Sequence, residues 1–495
     1  MERSSSRRIV FISLFSLCAA VVLPAHGDES DLLDYCLENS KHCALSVEAV
    51  DEGWQRHWNA DRPQVLASVF KTLVLIAYAQ AVADGTLDPD DTVAKEEWGR
   101  YFVGGTTLER SWSDLGSPDR VRLDDLARLM ILNSDNQAPD LFLASLLEKK
   151  KVKAATRRFD WHDSPVTISS MFTLWNNLND VGGTGNRVAT DYGGFEAGGY
   201  QKELSKITKK FRNDSFVETV RENRCAQPPW FVGTPPCTPP QPFTTAENFR
   251  TLQNHHSARG TTRAYATLLR GLLDRSVLSA AAQEVVERNF DQAWLELFPT
   301  LTPTFSRYGL KSGSLATSAG LRILTWGHYM ETAIGRYVVV VFLQDMLGTR
   351  KAPEGGDVNA FAQQFALNAT FRQTVRNSFD ARPLPAELVP RLKKAKLGGS
   401  RKVTVKAKVE NSSPFAADAF EVALYLLDDT ETAGATPVAT QVVGSLGAYR
   451  ARTVTLRHTA DHDVSGKLAV VVVDAGAAVQ EQDDDNNVTW ERLDQ

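Results

Sequence analysis

The spacing of apolar residues predicts several helices. Aliphatic side chains run almost without interruption through residues 69–84 and stop at Asp84-Gly85, which is typical of a buried helix with a glycine C-cap. Apolar residues recur at helical spacing in 123–132, and a helix resumes at 138–147 after a polar break. Further helices are predicted over residues 31–39, 262–273 and 358–379. The first part of the chain therefore has a large helical component.

Alternating and β-branched segments predict two sets of strands. Residues 44–50 and 54–58 form a hairpin in this prediction. Three later strands are predicted over residues 306–311, 321–326 and 337–343. Because short turns join these strands, they imply an antiparallel sheet. From residue 401 onward, alternating strands separated by turns predict a β-sandwich of about a hundred residues.

Length and composition indicate more than one folded unit. The chain has 495 residues, of which 43% are apolar and 23% charged, and one hydrophobic core rarely grows that large. Its formal net charge of −5 gives no electrostatic reason to expect nucleic acid as a partner. The predicted organisation is a signal peptide (1–27), a first domain (28–381) with an irregular Gly- and Pro-rich insertion (181–250), a linker (382–400) and a β-sandwich (401–495).

The N-terminal residues are typical of an export signal. Arg3, Arg7 and Arg8 form a basic segment, an apolar run follows through residues 9–23, and Ala25-His26-Gly27 resembles a cleavage site. This run is shorter than the roughly 20 residues that a membrane-spanning helix needs, and no later stretch qualifies. We expect a secreted or periplasmic protein without an integral membrane segment after signal removal. The export route stays open.

Four cysteines remain after signal removal, an even number in a compartment where disulfides persist. Of the three possible pairings, two short-loop bridges, Cys36 to Cys43 and Cys225 to Cys237, are favoured. No cysteine or histidine spacing is typical of a metal site, and we expect neither metal nor cofactor.

Three short motifs occur in a fixed order: Ser68-Val69-Phe70-Lys71, Ser134-Asp135-Asn136 and Lys311-Ser312-Gly313-Ser314. Each alone is weak, because a serine followed three residues later by a lysine is common by chance. Their predicted positions support a shared function: the first motif begins a buried helix, the second lies at the break between two helices, and the third ends a strand. Together they favour a catalytic site.

The residue types in these motifs suit acyl transfer by a serine nucleophile. A hydroxyl such as that of Ser68 needs a base, and one helical turn brings Lys71 onto the same face. Lysine can act as that base only if burial and a neighbouring cation, here Lys311, lower its pKa from about 10.4.

The other motif residues suit substrate binding and proton transfer. Ser134 can relay a proton to the leaving nitrogen, and Asn136 can hold an acylamino side chain. Lys311 and Ser312 suit a substrate carboxylate. The developing oxyanion would lie between the backbone N–H groups of Ser68 and Ser314.

At these motifs the sequence resembles the penicillin-recognising serine hydrolases, most closely the class A β-lactamases. The resemblance covers about residues 40 to 350. It implies an α/β fold with a helical half and an antiparallel five-stranded half, the active site lying at their junction. The C-terminal segment from Asp474 through Glu481 to Asn487 resembles the bacterial cell-adhesion-related (CARDB) sandwich module. Its acidic residues favour a solvated turn over the alternative, a calcium site.

The sequence departs from the class A pattern in the deacylation loop. The family carries a glutamate there, whereas residues 163–177 contain none. Thr173 and Asn177 are the natural positional matches. Asp163 and Glu196 are alternative sources of a base. The insertion at 181–250 could form a lid that redefines the substrate.

Three functions are consistent with these observations. The first is a class A-like β-lactamase acting on β-lactam amides, and the second is a D,D-peptidase or related serine hydrolase acting on cell-wall peptide. The third is a non-enzymatic exported binding protein on the same scaffold, which the intact motif residues disfavour. Under each of them the C-terminal module would contact a surface protein or glycan.

Overall fold

The computed structural model of the protein describes residues 30–39, 42–62, 64–102, 107–147, 228–231, 258–316, 322–346, 353–381, 386, 388–411, 413, 416–430, 432, 434–447, 450–479, 481 and 487–493. Several predictions concern residues outside these ranges: the signal peptide, the residues Asp163, Thr173, Asn177 and Glu196, and the cysteines Cys225 and Cys237.

The first domain combines helices with one large sheet. Its strands are β1 (Cys43–Ala49), β2 (Trp54–Trp58), β3 (Gln64–Val65), β4 (Thr92–Ala94), β5 (Arg120–Arg122), β6 (Arg259–Gly260), β7 (Phe305–Ala316), β8 (Arg322–Thr332) and β9 (Gly335–Met346). Its helices are α1 (Ser30–Glu38), α2 (Lys71–Ala83), α3 (Lys95–Trp98), α4 (Thr107–Asp114), α5 (Leu123–Leu132), α6 (Gln137–Leu141), α7 (Thr262–Leu273), α8 (Ala280–Glu287), α9 (Ala293–Leu297), α10 (Gly355–Leu367) and α11 (Ala369–Asp380).

The large sheet has five antiparallel strands in the order β2-β1-β9-β8-β7. This confirms the predicted α/β class with an antiparallel five-stranded half. The three later strands are longer than predicted, since β7 and β8 pair without a break from Tyr308 opposite Met330 to Ala316 opposite Arg322. The chain reaches this sheet twice, first through the hairpin β1-β2 and then through β7, β8 and β9.

Both faces of the sheet are covered, which explains the apolar run in β9. Val338, Val340 and Phe342 are buried in one core together with α2 and α7. Their neighbours Val339 and Val341 are buried in a second core, with α1 and α10. Because successive side chains in a strand point to opposite faces, a sheet buried on both sides selects apolar residues at every position.

Two helix predictions need correction. The predicted helix 358–379 is two helices, because Asn368 ends α10 and its side chain accepts the backbone N–H of Phe371 at the start of α11. The predicted helix 138–147 begins as α6 and continues as a wider helical turn over Phe142–Leu146. By contrast, helices α5 and α7 have the predicted bounds.

The C-terminal domain is an all-β sandwich, as predicted. Its strands are β10 (Leu388–Gly398), β11 (Lys402–Asn411), β12 (Phe420–Leu427), β13 (Ala439–Val443), β14 (Ala451–Thr459), β15 (Leu468–Val473) and β16 (Val488–Arg492). They form one sheet in the order β10-β11-β14 and another in the order β13-β12-β15-β16. A separate hydrophobic core includes residues of both sheets, among them Val405 and Val471.

The predicted linker 382–400 contains a strand. β10 pairs antiparallel with β11 over Leu388 to Gly398. Its apolar side chains Leu392, Ala395 and Leu397 pack on the sandwich core, while the intervening lysines face outward. A lysine-rich composition is typical of a solvated segment, whereas the apolar positions before and after the irregularity at Leu392/Lys394 alternate as in a strand that is buried on one side.

Three further observations concern the sequence predictions. Cys36 and Cys43 form a disulfide, which confirms one of the two favoured bridges. No helix in the described part of the chain has the length and apolar character to cross a membrane. In the C-terminal module, Asp474 accepts the backbone N–H groups of Ala478 and Val479, so this carboxylate stabilises its own turn.

Candidate active site

Ser68 lies in a tight helical turn, Ala67–Phe70, that leads directly into α2. The residue before it, Ala67, has a φ of 45°. This left-handed conformation costs an L-residue about 1–2 kcal/mol. The surrounding contacts must hold the turn, because a free chain would relax to a right-handed conformation.

Two hydrogen bonds from distant segments hold the residue at the start of this turn. The backbone N–H of Leu66 donates to the carbonyl of Ala258 at 2.8 Å. The hydroxyl of Thr325, on β8, donates to the Leu66 carbonyl at 2.7 Å. The turn that carries Ser68 is therefore fixed against the sheet.

Lys71 is the first residue of α2 and is fully buried. Its ammonium group donates to the Ser134 carbonyl at 2.6 Å, to the Ser134 hydroxyl at 3.2 Å and to Oδ1 of Asn136 at 2.7 Å. These contacts bring the first and second motifs together. Among the described residues, no hydrogen bond is formed with the Ser68 hydroxyl, so Lys71 is oriented toward Ser134 and Asn136 in this structure.

The pKa of Lys71 lies well below its ordinary value. Burial is the largest cause, and repulsion from Lys311 adds to it. The carboxylates of Asp135 and Asp140 act in the opposite direction. A lysine whose pKa is lowered by burial and a nearby cation can serve as a general base near neutral pH.

The second motif forms the connection between α5 and α6. Ser134 has a φ of 54°, a conformation uncommon for residues other than glycine. The neighbouring Asp135 is fully buried and accepts hydrogen bonds from the indole of Trp98 and the backbone N–H groups of Gln137 and Ala138. This carboxylate caps the start of α6 and so holds Ser134 and Asn136 in place.

The third motif lies inside β7 rather than at its end, since the strand continues to Ala316. Lys311 is buried, and its ammonium group donates to the Ser134 hydroxyl at 3.1 Å and to the Ser312 carbonyl at 2.9 Å. Ser312 and Ser314 are half-buried. Lys311 thus completes a set of three motifs that meet at Ser134.

Gly313 allows β7 to approach the nucleophile. A Cβ atom at this position would lie 2.5 Å from the backbone nitrogen of Ser68 and 2.6 Å from the hydroxyl oxygen of Thr325. Since real Cβ atoms do not come this close, only glycine permits the present spacing. The strand that carries Ser314 therefore runs directly beside the Ser68 backbone amide.

Sequence reasoning missed some contributors. Thr325 stands in an ordinary strand, and no sequence signal marks its contact with the Ser68 turn. Asp140, fully buried one helical turn after Asn136, could have been suspected from its register. The predicted deacylation residues Asp163, Thr173 and Asn177 lie outside the described residues. In the described part of the chain, no group of three or more His, Cys, Asp or Glu side chains is arranged to hold a metal ion.

Two family models match the chain. The family model described as "Beta-lactamase enzyme family" matches residues 29–360, and the model CARDB matches residues 386–491. No curated protein sequence matches the chain. The first family match covers more than half of the chain and includes all three motifs.

Several solved structures are similar to this chain. A β-lactamase from Chitinophaga pinensis is 13% identical, with a TM-score of 0.42 over 72% of this chain and 99% of its own. One from Sphaerobacter thermophilus is 17% identical, with a TM-score of 0.41 over 70% of this chain and 98% of its own. The TLA-3 extended-spectrum β-lactamase is 10% identical, with a TM-score of 0.43 over 70% of this chain and 99% of its own.

Proposed function

Because the chain belongs to the β-lactamase enzyme family and ends in a CARDB domain, we propose that it is an exported serine hydrolase that hydrolyses β-lactam-type amides through an acyl-enzyme on Ser68. The observation that carries this proposal is the meeting of Lys71, Ser134 and Lys311 in a buried site. A solvated surface lysine would not have its pKa lowered by burial.

In the proposed acylation, neutral Lys71 takes the hydroxyl proton of Ser68 as its oxygen attacks the amide carbon. The negative charge that develops on the amide oxygen is stabilised by the backbone N–H groups of Ser68 and Ser314. Ser134 then gives its proton to the leaving nitrogen. Its oxygen accepts hydrogen bonds from both Lys71 and Lys311, so either lysine can supply the proton that restores the Ser134 hydroxyl.

The substrate groups follow from the same residues. Lys311 and Ser312 bind a carboxylate, and the Asn136 amide binds an acylamino group. To receive the substrate, Asn136 must exchange part of its contact with Lys71, which frees the lysine to turn toward Ser68.

A second candidate is a D,D-peptidase or related hydrolase acting on cell-wall peptide. The absence of glutamate from residues 163–177 favours it, because water that attacks an acyl-enzyme must lose a proton to a base. An enzyme of this kind would acylate with penicillin and release it slowly.

The test is to mix the purified protein with a chromogenic cephalosporin and, separately, with a labelled penicillin. Continuous hydrolysis supports a β-lactamase, and a persistent covalent adduct supports a peptidase. In Ser68→Ala, neither reaction should occur. Labelling that continues at full rate in this variant would contradict the assignment of the nucleophile, and neither reaction in the natural protein would contradict the proposed function.

The deacylation step has its own test. If Thr173 takes the place of the missing glutamate, the adduct of the natural protein persists, and Thr173→Glu should speed its release more than its formation. If the natural protein already releases penicillin without a burst, Asp163→Asn and Glu196→Gln identify which carboxylate acts. Lys71 becomes the leading candidate for the base if neither change slows release.

A further inference from the structure

One face of the C-terminal sandwich is strongly basic. In the sheet β10-β11-β14, the odd-numbered residues Val403 and Val405 of β11 are buried in the core, so the even-numbered residues face outward. The strand register places the outward residues of β10 and β14 beside them. The cations of this surface, here called the basic face, are Arg391, Lys394, Lys396, Lys402, Lys406, Lys408 and Arg457.

Most of these charges have no acidic partner in the part of the chain that the structure describes. Glu410 forms ion pairs with Arg391 and Lys408 at one end of the face. Among the described residues, the cations at the other end form no ion pair, although the whole chain carries more acidic than basic residues. Those cations are Lys394, Lys396, Lys402, Lys406 and Arg457.

The lysines at this end repel one another. Lys394 lies directly opposite Lys406 in the register of β10 and β11. Its pKa lies below the ordinary value, chiefly because of direct contact with and repulsion from Lys396, with a smaller contribution from Lys406. Like charges directly opposite each other destabilise a sheet. The cluster therefore lowers the stability of the free domain, and a bound anion would relieve the repulsion.

We propose that the basic face binds an anionic polysaccharide. Besides its cations, the face presents the hydroxyl groups of Thr404, Thr453, Thr455 and Thr459. A sheet surface that presents ammonium and hydroxyl groups is complementary to a polymer that carries both negative charges and hydroxyl groups.

Other polyanions are a poorer match. The outward positions of the face include no aromatic side chain on which a base could stack. The one outward aliphatic side chain larger than alanine is Val389, opposite Glu410, so the face lacks the cluster of large apolar side chains that inserts into a lipid surface.

The test uses the full chain and fluorescently labelled polygalacturonate, with binding followed by anisotropy over a range of salt concentrations. Neutral dextran of similar length, a DNA duplex and vesicles rich in phosphatidylglycerol are measured in parallel. The variant Lys394→Gln/Lys396→Gln/Lys406→Gln removes three charges from the basic face. The control Arg110→Gln/Arg122→Gln/Arg128→Gln removes three charges from ion pairs at the surface of the first domain, of which Arg128 is half-buried.

We expect polygalacturonate to bind to the natural protein with an affinity that falls as salt is added. The affinity of the lysine variant should be about tenfold or more lower. The arginine control should stay within about twofold. The lysine variant should melt at the same or a higher temperature, because it removes repulsion. Equal binding of dextran, an unaffected lysine variant, tighter binding of DNA or of vesicles, or no binding of polygalacturonate at low salt would each overturn the proposal.

Discussion

Lys71 and Lys311 donate hydrogen bonds to the same atom, the hydroxyl oxygen of Ser134, at 3.2 Å and 3.1 Å. Two buried lysines thus share one neutral acceptor. Their mutual repulsion favours the neutral form of Lys71, so the residue proposed to bind the substrate carboxylate also adjusts the proposed base. The two roles of Lys311 can be separated by experiment.

Replacement of Lys311 by methionine should change the pH dependence of acylation. Without the neighbouring cation, the pKa of Lys71 rises toward its ordinary value, and less of the neutral base is present at a given pH. The acidic limb of the acylation profile should therefore move to higher pH, besides any loss of substrate affinity. Single-turnover labelling with penicillin at saturating concentration measures the limb. An unmoved limb would mean that another group takes the Ser68 proton.

Replacement of Asp140 by asparagine should have the opposite effect. The Asp140 carboxylate stabilises the ammonium form of Lys71, so its removal lowers the pKa of Lys71 further. The acidic limb should then move to lower pH in the same assay. Because asparagine has nearly the same shape, a shift in the same direction as in Lys311→Met would contradict the electrostatic explanation.

A methyl group at residue 313 should disturb the nucleophile. In Gly313→Ala the new Cβ meets the Ser68 backbone nitrogen and the Thr325 hydroxyl, so β7 and the Ser68 turn must separate. We expect acylation to slow by about a hundredfold, the loss that small displacements of reacting groups can cause. Gly444→Ala is the control, since nothing lies within 4 Å of its Cβ. An acylation rate equal to that of the control would show that the strand is free to move.

The three motifs could be predicted because local sequence determines their chemistry. Ser68 and Lys71 are separated by one helical turn, and Ser134 and Asn136 by a short polar break. The contacts that fix these motifs could not be predicted in the same way. The Thr325 hydroxyl reaches Leu66 because β8 pairs with β7, and this pairing depends on long-range register rather than on any local pattern.

The error at residues 382–400 has a related cause. Lysines on an exposed strand face and lysines in a solvated linker have the same composition. The distinguishing feature is the alternation of apolar side chains, which the bulge between Leu392 and Lys394 interrupts. An extra residue at that point breaks the period of two, so the strand does not read as one continuous alternation.

The position of β10 changes where the chain can be shortened. A chain ending at Ala381 should fold and be acylated at the normal rate, because all three motifs lie before it. A chain ending at Gly399 keeps β10 without its partner β11 and exposes Leu388 and Leu392. We expect the chain that ends at Gly399 to aggregate, as measured by size-exclusion chromatography. A soluble chain ending at Ala381 that fails to react with penicillin would contradict the independence of the first domain.

Stability should fall in mild acid because of His328. Burial between aromatic neighbours lowers its pKa to about 3, and neither ring nitrogen has a hydrogen-bond partner among the described residues. The unfolded chain binds a proton near pH 6.5, whereas the folded chain does not, so this contribution to stability is present above pH 6.5 and is lost between pH 6.5 and 3.

This loss amounts to about 1.4 kcal/mol per pH unit for one histidine. Urea unfolding at pH 7 and pH 4.5, followed by near-ultraviolet circular dichroism, measures it. The variant His328→Phe keeps an aromatic ring but cannot be protonated, so its stability should depend less steeply on pH. If the free energy of unfolding falls equally steeply with pH in the two proteins, other groups cause the acid sensitivity. The first of these to examine is His57, which has a pKa of about 3.

The short connection between the two domains limits how far they can separate. Helix α11 ends at Asp380 and β10 begins at Leu388, so even a fully extended connection spans at most about 29 Å. An enzyme whose sandwich is bound to an immobile polymer would therefore work within a thin layer at its surface. In that layer its effective concentration is set by the length of this tether and not by the amount of protein released. Lengthening the connection would dilute the activity away from the polymer without altering either domain.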